Sequence, residues 1–222
     1  MHNIRLPHLS ECTVFFDFDN TITFFDVLDD IIQRFSINRD WVAFEKAWEK
    51  RKIGSRHCLQ NQLKSVRLSR KDLLLYLSLI RIDPRFHKFI AILKKEGMQP
   101  VVVSDNFTFV IKFILQNNGI KGVKVYGNNL RFSKDRLIPS FPYGNRRCLI
   151  CANCKRKILK RHVKNKVIVY IGDGLSDICP AEYSDLVFAK GTLLEHFRKA
   201  KRLCLAFNNL EDIYDYFRGL EK

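Results

Sequence analysis

The chain has 222 residues, of which 46% are hydrophobic and 28% charged. That balance excludes a disordered or collagen-like chain and suffices for one packed domain carrying an insertion. Lys and Arg number 39 against 23 Asp and Glu, a formal charge of +16, which suits anionic partners such as nucleic acid, anionic lipid or phosphorylated metabolites.

The first element, 13–18 (TVFFDF), reads as a short buried strand ending in acids. Residues 26–96 carry mostly helical spacing: Leu28, Ile31, Ile32 and Phe35, then Trp41, Phe44, Ala47 and Trp48, then Leu73, Leu74, Leu77 and Ile80. Asp83-Pro84 opens a further helix that Gly97 closes. Residues 99–104 (QPVVVS) form a second buried strand, followed by a helix from about Asn106 to Asn117. Short strands are expected over 123–141, with turns at 127–129 and 133–135, then a helix over about 150–163. Residues 166–171 (KVIVYI) are a third buried strand. Strands at 186–188 and 203–207 and a helix at 210–219 complete the chain. This alternation predicts an α/β fold, a doubly wound parallel sheet with helices on both faces. The helical stretch is too long for a crossover, so a core of 1–25 and 97–222 is expected, with 26–96 as an inserted helical cap.

Three strand ends carry chemistry. Asp17 and Asp19, at i and i+2, point the same way from the first strand. Crowding carboxylates there is costly unless a cation or proton neutralises them. Ser104, Asp105 and Asn106 follow the second strand, where a serine hydroxyl and helix-start N–H groups suit phosphate oxygens. Gly172-Asp173-Gly174-Leu175-Ser176-Asp177 follows the third, its glycines permitting a tight turn. In open parallel sheets ligands bind beyond the carboxyl ends of the strands. A single DxD is usually a solvated turn; three such ends after three buried strands are a site.

DFDNT, VVVS and GDGLSD, in this order and separation, resemble the motifs of the haloacid dehalogenase superfamily, in its group with a helical cap between the first two motifs. The likeness covers about 13–210. The resemblance implies a Rossmann-like core and a Mg²⁺-dependent phosphomonoesterase acting on a small phosphorylated metabolite. Asp17 would be the nucleophile that forms an aspartyl-phosphate, and Asp19 the acid and then the base. Mg²⁺ would be held by Asp17, the main-chain carbonyl of Asp19, Asp173 and, directly or through water, Asp177. Thr21 and Ser104 would hold phosphoryl oxygens. Lys155, in CLICANCK, is chosen as the neutralising lysine by likeness to methionine-salvage and phosphoethanolamine/phosphocholine phosphatases. Asp26 stands where phosphoserine phosphatases place a substrate-binding acid, although a plain helix N-cap accounts for it equally. Ser104-Asp105-Asn106 in place of the common SGG makes Asp105 and Asn106 candidate substrate contacts and leaves the substrate open.

Cys148, Cys151 and Cys154 form CxxCxxC. Thiolates so spaced can ligate Zn²⁺, but a fourth ligand, from His162, Cys12, Cys58 or Cys179, would be required; reduced cysteines at a loop–helix junction are the preferred reading. Two alternatives remain in view. The charge permits a nucleic-acid end phosphatase, which an inserted cap would obstruct, and a basic non-enzymatic binding module, which the full set of acids argues against. No apolar run reaches the roughly 18 residues of a membrane helix. Seven cysteines without an apolar leader are expected in a cytoplasmic protein.

Overall fold

Strand β1 (Cys12–Phe16, CTVFF) has no charged residue and buries Val14, Phe15 and Phe16 almost completely, as a strand covered on both faces must. In the computed structural model, which describes residues 9–145, 148, 150–162 and 166–219, β1 lies at the centre of a seven-stranded sheet. Helices α1 (Val27–Phe35), α2 (Trp41–Glu49), α3 (Ser55–Gln62), α4 (Arg70–Ser78) and α5 (Arg85–Lys95) follow. Next come β2 (Val101–Phe107), α6 (Thr108–Asn117), β3 (Lys124–Ser133), β4 (Arg136–Ser140) and α7 (Lys155–His162). The chain closes with β5 (Val167–Gly172), α8 (Ile178–Ala181), β6 (Leu186–Ala189), α9 (Gly191–Lys199), β7 (Leu205–Ala206) and α10 (Leu210–Gly219).

The strand order is β4-β3-β2-β1-β5-β6-β7, all parallel except the β3–β4 hairpin. The chain winds outward from β1 through β2 and β3, then returns to β5 on the other side. β1 is therefore the switch point, where crossovers diverge and leave a crevice at the carboxyl ends. The α/β sheet expected from the alternation is the one observed.

Helix α5 departs from expectation. The sequence reading put 83–96 in the cap, yet α5 lies on the sheet. Its Phe86 and Phe89 meet Phe16 edge-on at 5.3 and 5.4 Å, and Phe89 meets Phe217 of α10 at 5.7 Å. Burying each phenyl ring contributes about 1.5–3 kcal/mol, which fastens α5 to the core. A bridge between Thr23 and Ile82 joins the two ends of the segment that carries α1–α4.

Other differences have local causes. The helix expected from Asn106 begins at Thr108. Ser104 Oγ accepts from the Asn106 N–H at 3.0 Å, and Asn106 Oδ1 accepts from the Phe107 N–H at 2.6 Å. These side-chain bonds hold the segment in strand β2. The expected turn at 127–129 is instead continuous β3. Gly127 is needed there for close approach: a Cβ would stand 2.6 Å from the Asn106 carbonyl oxygen. The turn at 133–135 is present, with Lys134 at φ +55°. The helix expected over 150–163 starts only at Lys155.

Candidate active site

The core side of the site is a charge-compensated cluster. Asp17 follows β1, and its N–H donates to the Ile171 carbonyl of β5 at 2.8 Å, which pins the nucleophile candidate to the next strand. Lys155, the first residue of α7, is 2% exposed. Its Nζ lies 2.9 Å from Asp17 Oδ1 and 2.7 Å from Asp177 Oδ1, and donates to Ser176 Oγ at 3.1 Å. That Asp17 oxygen is buried, and beyond the Lys155 ion pair no donor reaches it. Burial works against the lysine's charge, but Asp17, Asp177 and Asp105 outweigh it and hold the ammonium above its ordinary pKa.

Asp177 is fully buried and saturated. Its Oδ1 accepts from Lys155 and from Tyr170 Oη at 2.6 Å; its Oδ2 accepts from the N–H groups of Asp173 and Gly174, each at 3.0 Å. Burial would raise its pKa, but Lys155 and these donors bring it below the usual carboxylate value. The approach requires glycine at 172, where a Cβ would stand 2.6 Å from Asp177 Oδ2. Asp173 accepts from Thr21 Oγ1 at 3.2 Å, and burial, with Asp177 beside it, pushes its carboxyl up to about 7.

Asp17, Asp173 and Asp177 place ligand oxygens within 4.8 Å of one another, the only such group among the described residues. Hard carboxylate oxygens fit Mg²⁺, and Asp17 Oδ1 is a buried oxygen whose one close donor is the Lys155 ammonium, which leaves it room to share a cation. Asp177, with four donors already on it, positions Lys155 and the 173–174 turn. Thr21 differs from expectation: its hydroxyl serves Asp173.

The cap side is different. A narrow cavity of about 90 Å³ lies between the strand ends and α1–α3, walled by Asp17, Asp19, Asp26, Asp29, Glu45 and Asp105, with Trp48 and Ser104. Among the described residues no Lys, Arg or His lines it. Asp19 turns away from Asp17. Its Oδ1 accepts from the Val27 N–H at 2.9 Å, and Asn106 Nδ2 donates to both its oxygens at 3.1 and 3.0 Å. Burial and then Asp26 raise its pKa well above the ordinary value. Asp26 is the N-cap of α1, accepting from the Asp29 N–H at 2.8 Å, and also lines the cavity. Asp29 is pushed up to about 8 by burial, then by Asp26 and Glu45. Asp105 accepts from the Asn153 N–H at 2.9 Å, and its pKa is raised chiefly by burial.

Sequence reasoning missed Asp29 and Glu45, which wall the cavity, and Tyr170 and Asn153, which brace the cluster; Trp48, which its helical spacing marks first as cap core, walls the cavity as well. Asn153 Nδ2 donates to the carbonyls of Ser104 and Tyr126, both at 2.8 Å, and so ties the second strand end to the α7 loop. Asp29 carried a signal, one helical turn after Asp26 on the same face. Tyr170 reads as ordinary strand core. Cys148, Cys151 and Cys154 lie on the loop into α7 and do not line the acidic cavity.

Residues 12–194 match the family described as Putative Phosphatase. The chain belongs to that family. It is 27% identical over 216 residues to a 2-hydroxy-3-keto-5-methylthiopentenyl-1-phosphate phosphatase of Brevibacillus brevis, covering 94% of this chain and 95% of that protein. It is 25% identical to the Microcystis aeruginosa phosphatase of the same name, covering 91% and 96%. A solved phospho-aspartyl intermediate analogue of phosphoserine phosphatase superposes with a TM-score of 0.72 at 21% identity, covering 92% of this chain and 97% of that one. The phosphoserine phosphatase of T. onnurineus in complex with NDSB-201 superposes at 0.70 and 14%, covering 97% and 98%; at these identities the structural likeness speaks for the fold. The protein is a phosphatase of the haloacid dehalogenase superfamily, which sets aside the non-enzymatic binding module. Among the described residues no helix is long and apolar enough to cross a membrane.

Proposed function

We propose that this phosphatase hydrolyses a small phosphomonoester whose alcohol carries a positive charge, through an aspartyl-phosphate on Asp17. The observation that carries the chemistry is the buried Asp17 carboxylate, its Oδ1 met only by Lys155, at the mouth of the acidic cavity. Asp17 attacks phosphorus while Lys155 offsets the repulsion between two anions. Ser104 Oγ, which accepts from Asn106, retains its own hydrogen for a phosphoryl oxygen. Asp19 keeps a proton because burial and Asp26 disfavour its charge. It gives that proton to the leaving alcohol oxygen, then takes one from the water that cleaves the acyl-phosphate. Asp17, Asp173 and the Asp19 carbonyl would hold Mg²⁺, with Asp177 fixing their surroundings; the ion supplies charge neutralisation to the phosphoryl oxygens. The cap helices exclude bulk water from this exchange.

The substrate class follows from the cavity wall. Four carboxylates on the cap side with no basic residue among the described ones favour a cation. The Trp48 indole, held by its N–H to Ser55 Oγ at 3.0 Å, offers a face for one. A substrate carboxylate, as in phosphoserine, would meet only acids, and an oligonucleotide would be repelled despite the overall +16. The substrate for which those relatives are named has no cation, so a neutral phosphomonoester is the second reading. A cytoplasmic setting belongs to the same proposal.

The test is a comparison of phosphoethanolamine and phosphocholine with phosphoserine and neutral phosphomonoesters, with Mg²⁺ present. Higher kcat/KM for the cationic pair is expected, and Asp17→Asn abolishes turnover of all. Equal or better turnover of neutral or anionic esters would refute the substrate class. Unchanged turnover in Asp17→Asn would refute the mechanism.

A further inference from the structure

The cysteines that the phosphatase chemistry leaves unused converge from two separate segments. Cys148 and Cys151 wall one surface groove, and Cys151 and Cys179 wall the next. Cys154 is buried at the start of α7, which packs against α8, and Cys179 stands in the first turn of α8. Cys151 is within electrostatic reach of Cys148, Cys154 and Cys179. The other candidates for a fourth ligand are engaged elsewhere. His162 is bound to Tyr126 Oη at 2.6 Å, and Cys58 faces Glu45 in the cap. Cys12 lies at the opposite, amino end of β1.

We propose that Cys148, Cys151, Cys154 and Cys179 form a structural Zn²⁺ site that clamps the loop leading into α7 to the start of α8. Four sulfur donors, three of them spaced CxxCxxC, match a closed tetrahedral zinc centre, with Zn–S bonds of about 2.3 Å. The soft thiolates distinguish it from the oxygen cluster of the active site. Among the described residues only the three aspartates have ligand atoms within 4.8 Å of one another, so the ion draws the four sulfurs closer than they stand here. One Zn²⁺ and four thiolates carry two excess negative charges. Arg156 answers them: its charge lies near Cys179, and its guanidinium is held over the Tyr183 ring at 5.2 Å. Such partners around the ligands commonly tune metal affinity. Binding displaces the thiol protons to solvent, with no change of oxidation state.

The location gives the clamp a purpose. Cys154 immediately precedes Lys155, and Cys179 lies two residues beyond Asp177. The ion would therefore tie together the two segments whose Lys155 and Asp177 meet at 2.7 Å. It is a positioning site, remote from the phosphoryl group.

The experiment is metal analysis of the full chain, purified reduced and without chelator or immobilised metal, followed by Co²⁺ substitution. We expect one zinc per chain and, with Co²⁺, the intense visible bands and sulfur-to-metal charge transfer of a tetrahedral thiolate centre. Cys179→Ser and Cys151→Ser should lose the stoichiometric zinc, while Cys204→Ser and Asp173→Asn keep it. Wild-type protein holding only traces of zinc and taking up none when Zn²⁺ is supplied under reduction would overturn the proposal, whether or not the variants fold. So would a pale octahedral Co²⁺ spectrum, or full zinc retention in Cys179→Ser. None of these readouts depends on phosphatase turnover.

Discussion

Two groups of buried carboxylates face each other across the site, and they differ in what compensates their charge. On the core side, Asp17, Asp173 and Asp177 share Lys155, Tyr170, Thr21 and the 173–174 N–H groups, and Asp177 sits below its ordinary pKa. On the cap side, Asp19, Asp26 and Glu45 have amide donors, neither they nor Asp29 forms an ion pair among the described residues, and all four are raised. In the first group only Asp177 is held below its ordinary value; burial, with Asp177 beside them, raises Asp17 and Asp173, and Lys155 works against that rise. The second is left short of positive charge, which raises Asp19 and, under the proposed function, favours a proton there and a cationic substrate. A buried charge without a partner costs stability, so the cap side gives up stability to gain chemistry and selectivity.

Removing one member from each side should give contrasting results. Asp19→Asn is expected to lower kcat by about 10²–10⁴-fold for alcohol esters. The loss should be much smaller for p-nitrophenyl phosphate, whose leaving group needs no proton. Equal losses for both would make Asp19 structural. Lys155→Met strands Asp17 and Asp177 and should cost about 3–5 kcal/mol in denaturant unfolding. A stable Lys155→Met would dissolve the distinction between the two sides.

The smallest effect concerns Asp29, whose folded pKa of about 8 stands above an unfolded value of about 3.9. The folded chain binds the proton more tightly, so this group's stabilisation is full below about pH 4 and is lost as pH rises towards about 8. Asp29→Asn should flatten the fall in unfolding stability across that window and raise KM for a cationic ester. An unchanged pH slope would place Asp29 in solvent.

The two sides also differ in how far the sequence reveals them. Core-side residues follow buried strands, and parallel strands around a switch point must bring their carboxyl ends together. Asp17, Ser104 and Asp173 could therefore be placed from Val14–Phe16, Val101–Val103 and Val167–Ile171 alone. Lys155 came only by family resemblance, since nothing in KRKILKRH marks which cation turns inward. The cap wall was illegible because α2 buries no residue fully and its pattern does not say which side of Trp48 or Glu45 meets the cavity. α3, with SRHCLQNQ, has too few apolar residues to read as a helix. Asn106 was misplaced because its side-chain bonds, which extend β2, depend on contacts that periodicity does not register.

The central claim is that Asp17 carries the phosphoryl group during turnover. Enzyme turning over p-nitrophenyl phosphate with Mg²⁺ can be quenched in acid, reduced with borohydride and digested for mass spectrometry. An aspartyl-phosphate at this position is converted to homoserine, and the account predicts that conversion at residue 17 alone, absent without substrate. Conversion at another acid, or none in enzyme proven to turn over, would contradict it.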